Sequence, residues 1–192
     1  MRIIGGTSAG RLFRAPKGLA VRPTPDMVKQ AVFNSLGARV PGARVLELFA
    51  GSGALGLECL SRGAARLVAV EKASRHAIVI RENFEALGLN REALELRTQD
   101  VFAALHQLQA HGARFDLILA DPPFGPKNVG CRSNSLSQQL LDDPSLPALL
   151  DPSGVFVLGH TRRDTLTLPA TWREIKVLKH GDSMMRFLQC AR

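Results

Sequence analysis

Cysteine is scarce in this chain of 192 residues, and its placement excludes several kinds of chemistry. Cys59, Cys131 and Cys190 are odd in number, lie far apart and form no Cys-x-x-Cys pair. This argues against structural zinc, iron–sulfur clusters and a zinc deaminase, and it predicts a reducing cytoplasm. No Pro-Cys pair is present, so a cysteine adduct at a pyrimidine carbon lacks a nucleophile in its expected context.

Long apolar runs and metal-ligand spacings are missing as well. No run approaches the ~18 apolar residues of a membrane span, and the first residues lack the apolar centre of a signal peptide. The five histidines show no ligand spacing, and we expect them at the surface or in turns. We therefore expect a single globular unit, a monomer that uses neither membrane nor metal.

The positive charge is concentrated at the start of the chain. Residues 1–43 hold seven basic residues against one acid, Asp26, and so carry +6 of the net +8. Such a basic segment is typical of nucleic-acid binding, although a solvated basic surface is the alternative. Residues 1–25 are predicted to form a hairpin extension, with Arg2–Ile4 and Arg11–Phe13 flanking a glycine turn. Thr24 is the predicted cap of the helix that follows.

From residue 44 onward, strands alternate with helices. The predicted strands are Val45–Phe49, Leu67–Glu71, Leu94–Thr98, Phe115–Ala120, Gly154–Leu158, Trp172–Lys179 and Ser183–Cys190. The predicted helices run from the glycine turn through Arg62, over Ser74–Leu87 with Ser74 as cap, and over Val101–His111. This order predicts an α/β fold over residues 26–192, a seven-stranded, mostly parallel sheet with an antiparallel last strand. Ligands of such sheets bind at the carboxyl ends of the strands.

A glycine-rich turn follows the first strand of this unit. Phe49-Ala50-Gly51-Ser52-Gly53 opens a Gly-x-Gly-x-x-Gly pattern, and Glu71 comes twenty residues after Gly51, with Lys72 beside it. Glycines allow close backbone approach, and a distal acid can bind a ribose diol, so the pattern indicates a nucleoside-containing cofactor.

Glu47 decides which cofactor the turn fits. A carboxylate four residues before the first glycine repels the pyrophosphate of a nicotinamide dinucleotide but suits the cationic sulfonium of S-adenosylmethionine. A helix-start carboxylate is the alternative reading. Asp100 could accept from an adenine amino group or cap the next helix. Val101 and Phe102 could flank the adenine or belong to the core.

A second motif, Asp121-Pro122-Pro123-Phe124, follows the fourth strand. The two prolines fix the backbone, which places a carboxylate, a rigid carbonyl and an aromatic face together. Asp121 and the Pro122 carbonyl can accept the two hydrogens of a ring amine, and Phe124 can stack on the ring. Methyl transfer would then be an in-line displacement that depends on positioning. A loop that merely ends a strand is the alternative.

Further basic or polar residues could contact the substrate. They are Arg2, Arg11, Arg14, Arg22 and Thr24 near the start of the chain, and Lys127 and Arg132 after the second motif.

Taken together, RIIGG, RPTPD, VFNSL, ELFAGSGALGLECLSRGA and DPPF resemble the RsmD-type 16S ribosomal RNA guanine-N2 methyltransferases. The resemblance implies a Rossmann-like methyltransferase domain with S-adenosylmethionine as donor. It also implies a guanine at nucleotide 966 of a partly assembled small ribosomal subunit as acceptor, with the N-terminal hairpin contacting the RNA. It carries cofactor roles onto Glu47, Phe49, Gly51, Gly53 and Glu71, and the acceptor site onto Asp121–Phe124.

Two departures from the family pattern concern substrate choice. His160 stands where an acid is usual, and Gly125–Pro147 is a longer loop, richer in glycine, serine and asparagine. Three alternatives stay open: a DNA adenine or cytosine amino-methyltransferase, whose acceptor loop is similar, a nicotinamide-dependent oxidoreductase built on the same glycine pattern, and a non-catalytic ribosome-binding factor that kept the fold. The absence of a separate target-recognition domain argues against the first, Glu47 against the second, and the intact second motif against the third.

Overall fold

The computed structural model describes residues 1–16, 24–125 and 132–191, which contain seven strands and six α-helices. The strands are β1 (Arg44–Leu48), β2 (Arg66–Val70), β3 (Leu94–Arg97), β4 (Phe115–Ala120), β5 (Leu150–Thr161), β6 (Trp172–His180) and β7 (Ser183–Cys190). The helices are α1 (Asp26–Leu36), α2 (Ala54–Ser61), α3 (Ser74–Ala86), α4 (Val101–Ala110), α5 (Leu136–Asp142) and α6 (Ser145–Leu149).

All seven strands form one sheet in the order β3-β2-β1-β4-β5-β7-β6. The first five strands in this order are parallel, and β7 runs antiparallel to both of its neighbours. The predicted seven-stranded, mostly parallel sheet is confirmed. The chain changes direction across the sheet between β1 and β4, where Leu48 pairs with Ala120. The segments that follow these two strands therefore meet at one edge, the usual ligand position in such sheets.

Both faces of the central strands are covered. Val45 and Leu46 are fully buried but belong to different apolar clusters, because successive side chains of a strand point to opposite faces. The first cluster includes Val32 and Phe33 of α1, and the second includes Leu105 of α4. This double burial explains the continuous apolar sequence of the central strands.

The region between β4 and β5 differs from the expected loop. Residues 136–149 form α5 and α6, and β5 begins at Leu150 rather than at Gly154. The serines that favoured a loop are buried; Ser135, for example, accepts a hydrogen bond from Gln138 N at the start of α5. The expectation for the histidines is wrong for His76 and His160, which are both buried.

The N-terminal segment, residues 1–16, forms a short two-stranded contact that packs on the main sheet unit. Arg2 and Leu12 are bridge partners, and Ile3 N donates to Arg11 O at 3.0 Å. Ile3 and Phe13 are buried in the first apolar cluster. The segment therefore shares a core with the following domain.

Two buried charged side chains anchor this segment. Glu58 of α2 is fully buried and accepts hydrogen bonds from Ile4 N and Gly5 N, each at 2.8 Å, and from Arg62 Nε. Lys29 of α1 is fully buried as well, and its Nζ donates to Arg2 O. Buried charges with such partners are costly to disturb, because the remaining partner stays in a low-dielectric environment.

Asn83 of α3 connects the segment to the glycine turn. Its Oδ1 accepts from Arg14 N at 2.8 Å, and its Nδ2 donates to Arg14 O at 2.9 Å and to Ser52 O at 3.2 Å. Asn83→Ala should lower the free energy of unfolding by about 2–4 kcal/mol, because it leaves several buried backbone groups without partners. Urea unfolding measures this change. The matched control is Glu82→Ala at the neighbouring exposed position, and an equal loss in both variants would contradict the assigned role of Asn83.

Candidate active site

The glycine turn connects β1 to α2 through an unusual backbone. Phe49 adopts a φ of 56°, a strained conformation for a residue with a side chain, and Gly51 and Gly53 have φ of 57° and 76°. Ala50 N donates to Val70 O at 3.0 Å, and Gly53 N donates to Ala50 O at 2.7 Å. These bonds hold the turn against β2 and leave its outer surface facing the sheet edge.

Glu47 lies buried beneath this turn. Its Oε1 accepts from Leu55 N at 3.1 Å, whereas its Oε2 is buried without a hydrogen-bond partner among the described residues. A Cβ atom at position 56 would lie 2.5 Å from Oε2, so Gly56 provides the space for this oxygen. The helix-start alternative is thus confirmed for one oxygen, and the second oxygen is buried beside Gly56.

Burial raises the pKa of Glu47 from 4.5 to about 8, and the nearby carboxylates of Glu71 and Asp121 act in the same direction. The folded chain therefore keeps a proton that the unfolded chain loses above about pH 5. The ligand-free protein should lose stability as the pH rises from about 5 to about 8, on the order of a few kcal/mol, and Glu47→Gln should abolish this loss.

Thermal melts of both proteins across this pH range measure the difference. A constant Tm gap between wild type and Glu47→Gln would contradict the burial of an ionisable Glu47.

Glu71 holds the glycine turn from the end of β2. Its Oε2 accepts from Gly51 N, and its Oε1 accepts from Ala73 N, each at 2.8 Å. The predicted proximity of Glu71 and the glycine turn is therefore present. The predicted Ser74 cap is wrong: α3 begins after Ala73, and the Glu71 carboxylate occupies the position of a cap.

Asp121 begins the segment after β4, opposite Glu47. Thr24 Oγ1 donates to Asp121 Oδ2 at 2.8 Å. The predicted capping role of Thr24 is wrong, because Pro25 is the cap residue of α1 and no side chain caps that helix. Burial raises the pKa of Asp121, and the Thr24 hydrogen bond opposes this shift. Thr24 therefore favours the charged form of this carboxylate.

The rest of the second motif presents a rigid turn with an exposed ring. Pro122 is buried and Pro123 is exposed. Phe124 is 43% exposed, which is high for a phenylalanine and suits a ring that stacks on a ligand.

One cleft unites the two motifs. The cleft is lined by Thr24, Glu47, Leu48, Phe49, Ala50, Gly51, Ser52, Ala54, Leu55 and Asp121. Glu47 and Asp121 both line the cleft, and a cation bound there would favour their ionised forms, so the cleft suits a cationic ligand better than a phosphate. No group of three metal-ligating side chains occurs in residues 1–16, 24–125 and 132–191.

The remaining predicted cofactor residues lie around α4. Asp100 Oδ1 accepts from Phe102 N and Ala103 N, which confirms the capping alternative, and its Oδ2 lies 3.4 Å from Lys72 Nζ. Val101 is buried in the second apolar cluster, and Phe102 packs against it. These positions remain compatible with a base pocket but have structural roles of their own.

The predicted substrate-binding residues are distributed over the surface. Arg2 pairs with Asp26 at 2.8 Å, and Arg11 donates to the carbonyls of Ala86 and Leu87 at the end of α3. Arg14 is 82% exposed at its side chain.

Arg132 is paired with Asp142, 2.7 and 2.8 Å from its two carboxylate oxygens. Arg22 and Lys127 lie outside the described residues.

Sequence reasoning missed Gly159 altogether, and it singled out His160 without predicting the contact that this side chain makes. A Cβ atom at Gly159 of β5 would lie 2.3 Å from Asp121 Oδ1. His160 follows it and accepts a hydrogen bond from Arg186 Nε at 3.0 Å. Neither contact has a local signal, because each joins strands that are distant in the chain.

The sheet order, the glycine turn with its acids and the Asp-Pro-Pro-Phe turn define a Rossmann-like methyltransferase. A family model described as Conserved hypothetical protein 95 matches residues 1–189. The chain belongs to this family, the RsmD family of ribosomal RNA small subunit methyltransferases.

Individual relatives agree with this assignment. Ribosomal RNA small subunit methyltransferase D of Escherichia coli strain K12 is 31% identical over 90% of this chain and 81% of its own. The Haemophilus influenzae protein of the same name is 29% identical over 98% of this chain and 93% of its own.

Solved structures show the same fold. The Escherichia coli protein yhhF matches with a TM-score of 0.81 and 28% identity over 99% of this chain and 97% of its own. The Thermus thermophilus 16S rRNA N2 G1207 methyltransferase RsmC, in complex with AdoMet and guanosine, matches with a TM-score of 0.64 and 26% identity. That match covers 90% of this chain and 45% of RsmC.

Proposed function

We propose that this chain transfers a methyl group from S-adenosylmethionine to the exocyclic N2 of a guanine in 16S ribosomal RNA. The finer parts of the proposal are nucleotide 966 as the target, a small subunit or its assembly intermediate as substrate, and a cytoplasmic monomer as the active form. One observation carries the proposal: Glu47, whose Oε2 has no hydrogen-bond partner among the described residues, and Asp121 line the same cleft.

The residues of the cleft fit S-adenosylmethionine. This donor carries a sulfonium and an ammonium but no phosphate, and a cation beside Glu47 would favour the ionised form of this carboxyl, whose Oε2 has no hydrogen-bond partner among the described residues. Gly51 and Ser52 would allow close backbone approach, and Glu71 would receive the ribose hydroxyls through the lone pairs that its two backbone bonds leave free. When bound, the donor supplies an electrophilic methyl group.

The second motif suits the acceptor amine. Asp121 and the Pro122 carbonyl would accept the two N2 hydrogens, which draws the nitrogen out of conjugation and directs its lone pair towards the methyl group. Phe124 would stack on the guanine, which must leave its base stack to enter the cleft. Catalysis then comes chiefly from orientation, which can supply a large part of a rate enhancement.

The basic N-terminal segment supports an RNA substrate. Arg14 is exposed at the surface, where its guanidinium lies 3.7 Å from Glu82, and Arg2 of the same segment is exposed and pairs with Asp26. Such residues bind the phosphate backbone without reading sequence. The RsmC match favours guanine N2 as the acceptor, since that protein is a 16S rRNA N2 methyltransferase bound to guanosine.

The test is a methyl-transfer assay with labelled S-adenosylmethionine on unmodified small subunits, free 16S RNA and duplex DNA, followed by digestion to nucleosides and mapping. N2-methylguanosine at one position of the subunit is the expected result. Label on free RNA alone would reject the subunit as substrate, and label on DNA alone would reject the ribosomal target. Cofactor binding with no label on any substrate would favour the binding-factor alternative.

A further inference from the structure

The two oxygens of the Asp121 carboxylate have different neighbours, and both neighbours come from distant parts of the chain. Oδ2 receives the Thr24 hydroxyl at 2.8 Å, from the residue that precedes the cap of α1. Oδ1 lies against Gly159, near the end of β5. The carboxylate is therefore confined between two elements, neither of which belongs to the Asp-Pro-Pro-Phe motif.

Gly159 matters because it has no side chain. A Cβ atom there would lie 2.3 Å from Oδ1 and 2.9 Å from Cγ of Asp121, closer than atoms of real side chains approach. Gly159 is buried, and Ser137 Oγ of α5 donates to its carbonyl at 3.2 Å. Because α5 and the sheet hold the β5 backbone in place, Asp121 would have to move if position 159 carried a side chain.

Thr24 acts through its hydroxyl. Its single hydrogen is donated to Asp121 Oδ2, and both residues line the cleft. The two oxygens of a carboxylate are equivalent, so a half-turn restores the same bond, whereas a smaller rotation about Cβ–Cγ carries the accepting oxygen away from Thr24. The hydrogen bond therefore fixes the plane of the carboxylate, with one oxygen towards Thr24 and the other towards Gly159.

We propose that Thr24 and Gly159 are positioning residues that hold the Asp121 carboxylate in one orientation, Thr24 by donating to Oδ2 and Gly159 by leaving space for Oδ1. The claim that this orientation serves methyl transfer rests on the proposed function. The claim that Thr24 and Gly159 hold the carboxylate in place does not, and it can be tested without any substrate.

The first experiment is a double-mutant cycle on thermal stability. Gly159→Ala should lower the Tm by about 2–12 °C, the shift expected when a buried site of a domain of this size is overpacked. In an Asp121→Ala background the same substitution should cost less than half as much, since the clashing carboxylate is gone. Gly154→Ala is the matched control on the same strand, where a Cβ would lie 2.8 Å from Leu150 Cδ1. Its cost should be the same in both backgrounds.

A Gly159→Ala cost that is unchanged by Asp121→Ala would overturn the role of Gly159, whatever the methylation assay shows. If the cycle shows coupling but the chain methylates no substrate, the positioning stands and the proposed function fails.

The second experiment separates positioning from folding at Thr24. Thr24→Val removes the hydroxyl at nearly constant volume, and should lower kcat about 10-fold with the cofactor Kd changed less than about twofold. It should also move the acidic limb of the kcat–pH profile to higher pH, because the donor that opposes the raised pKa of Asp121 is lost. Glu47 of β1 is the neighbouring carboxyl that also titrates, and its contribution to the profile should be equal in all variants.

Thr24→Ser keeps the hydroxyl and should restore both the rate and the profile. A Thr24→Ser protein as slow as Thr24→Val, or a Thr24→Val profile that does not shift, would overturn the role of Thr24.

Discussion

Replacing Asp121 with asparagine should lower methyl transfer to the ribosomal substrate by about 100- to 1,000-fold, while cofactor affinity stays within a few-fold of wild type. The amide keeps the size of the side chain but loses the negative charge that polarises the guanine amine. One of the two carboxylate oxygens is also replaced by an NH₂ group, which cannot accept a hydrogen bond. Single-turnover rates with saturating cofactor measure the chemical step, and calorimetric titration measures cofactor binding.

Asp116→Asn is the matched control, since Asp116 lies at the opposite end of the same strand and pairs with Arg44. This variant should keep the wild-type transfer rate. An Asp121→Asn protein that methylates as fast as Asp116→Asn would remove Asp121 from the reaction. Loss of cofactor binding in Asp121→Asn would instead assign this carboxylate to the donor side of the cleft.

Glu47→Gln should weaken S-adenosylmethionine binding about 10- to 100-fold, since a hydrogen bond or contact to a charged group is worth about 1.5–3 kcal/mol. The glutamine can still accept from Leu55 N through its carbonyl oxygen, so the start of α2 is retained. Wild-type affinity should also increase as the pH rises towards about 8, because the cation binds the ionised carboxylate, whose pKa in the free protein is about 8. The variant should show no such increase.

Titration with S-adenosylmethionine and with S-adenosylhomocysteine measures the loss of affinity and shows whether it comes from the sulfonium or from the ammonium. Both ligands carry the ammonium, but only the first carries the sulfonium, so an equal loss for both would assign Glu47 to the ammonium. Glu82→Gln, exposed on α3, should bind both ligands like wild type. Unchanged affinity in Glu47→Gln would contradict the assignment of its free oxygen to the donor.

The central sheet could be predicted because each of its strands is marked by residues that are neighbours in the sequence. β1, β2 and β4 are short apolar runs bounded by turn residues, and they differ from the predicted bounds by one residue or not at all. The pairing of Glu47, the glycine turn and Glu71 follows from their positions at the ends of adjacent parallel strands. By the same argument Asp121, which follows β4, lies beside the end of β1, because β1 and β4 are parallel neighbours.

The failures have a common physical cause. Thr24 has the sequence context of a helix cap, but its hydroxyl binds Asp121, ninety-seven positions later. Gly159 reads as an ordinary strand residue, since only the folded chain shows the carboxylate beside it. Serines at 133–145 indicate a loop by composition, whereas burial and capping place them around α5 and α6. In each case a tertiary contact overrides a local preference.

The side chain of Asn83 sets a limit on how this protein could be recombined with its relatives. Because one amide binds both Arg14 and Ser52, residues 1–16 and the glycine turn are held by the same side chain of α3. A chimera that grafts the N-terminal segment of a relative would fail at this junction unless positions 58 and 83 were transferred with it. The unit of exchange is therefore the segment together with α2 and α3, and not the hairpin alone.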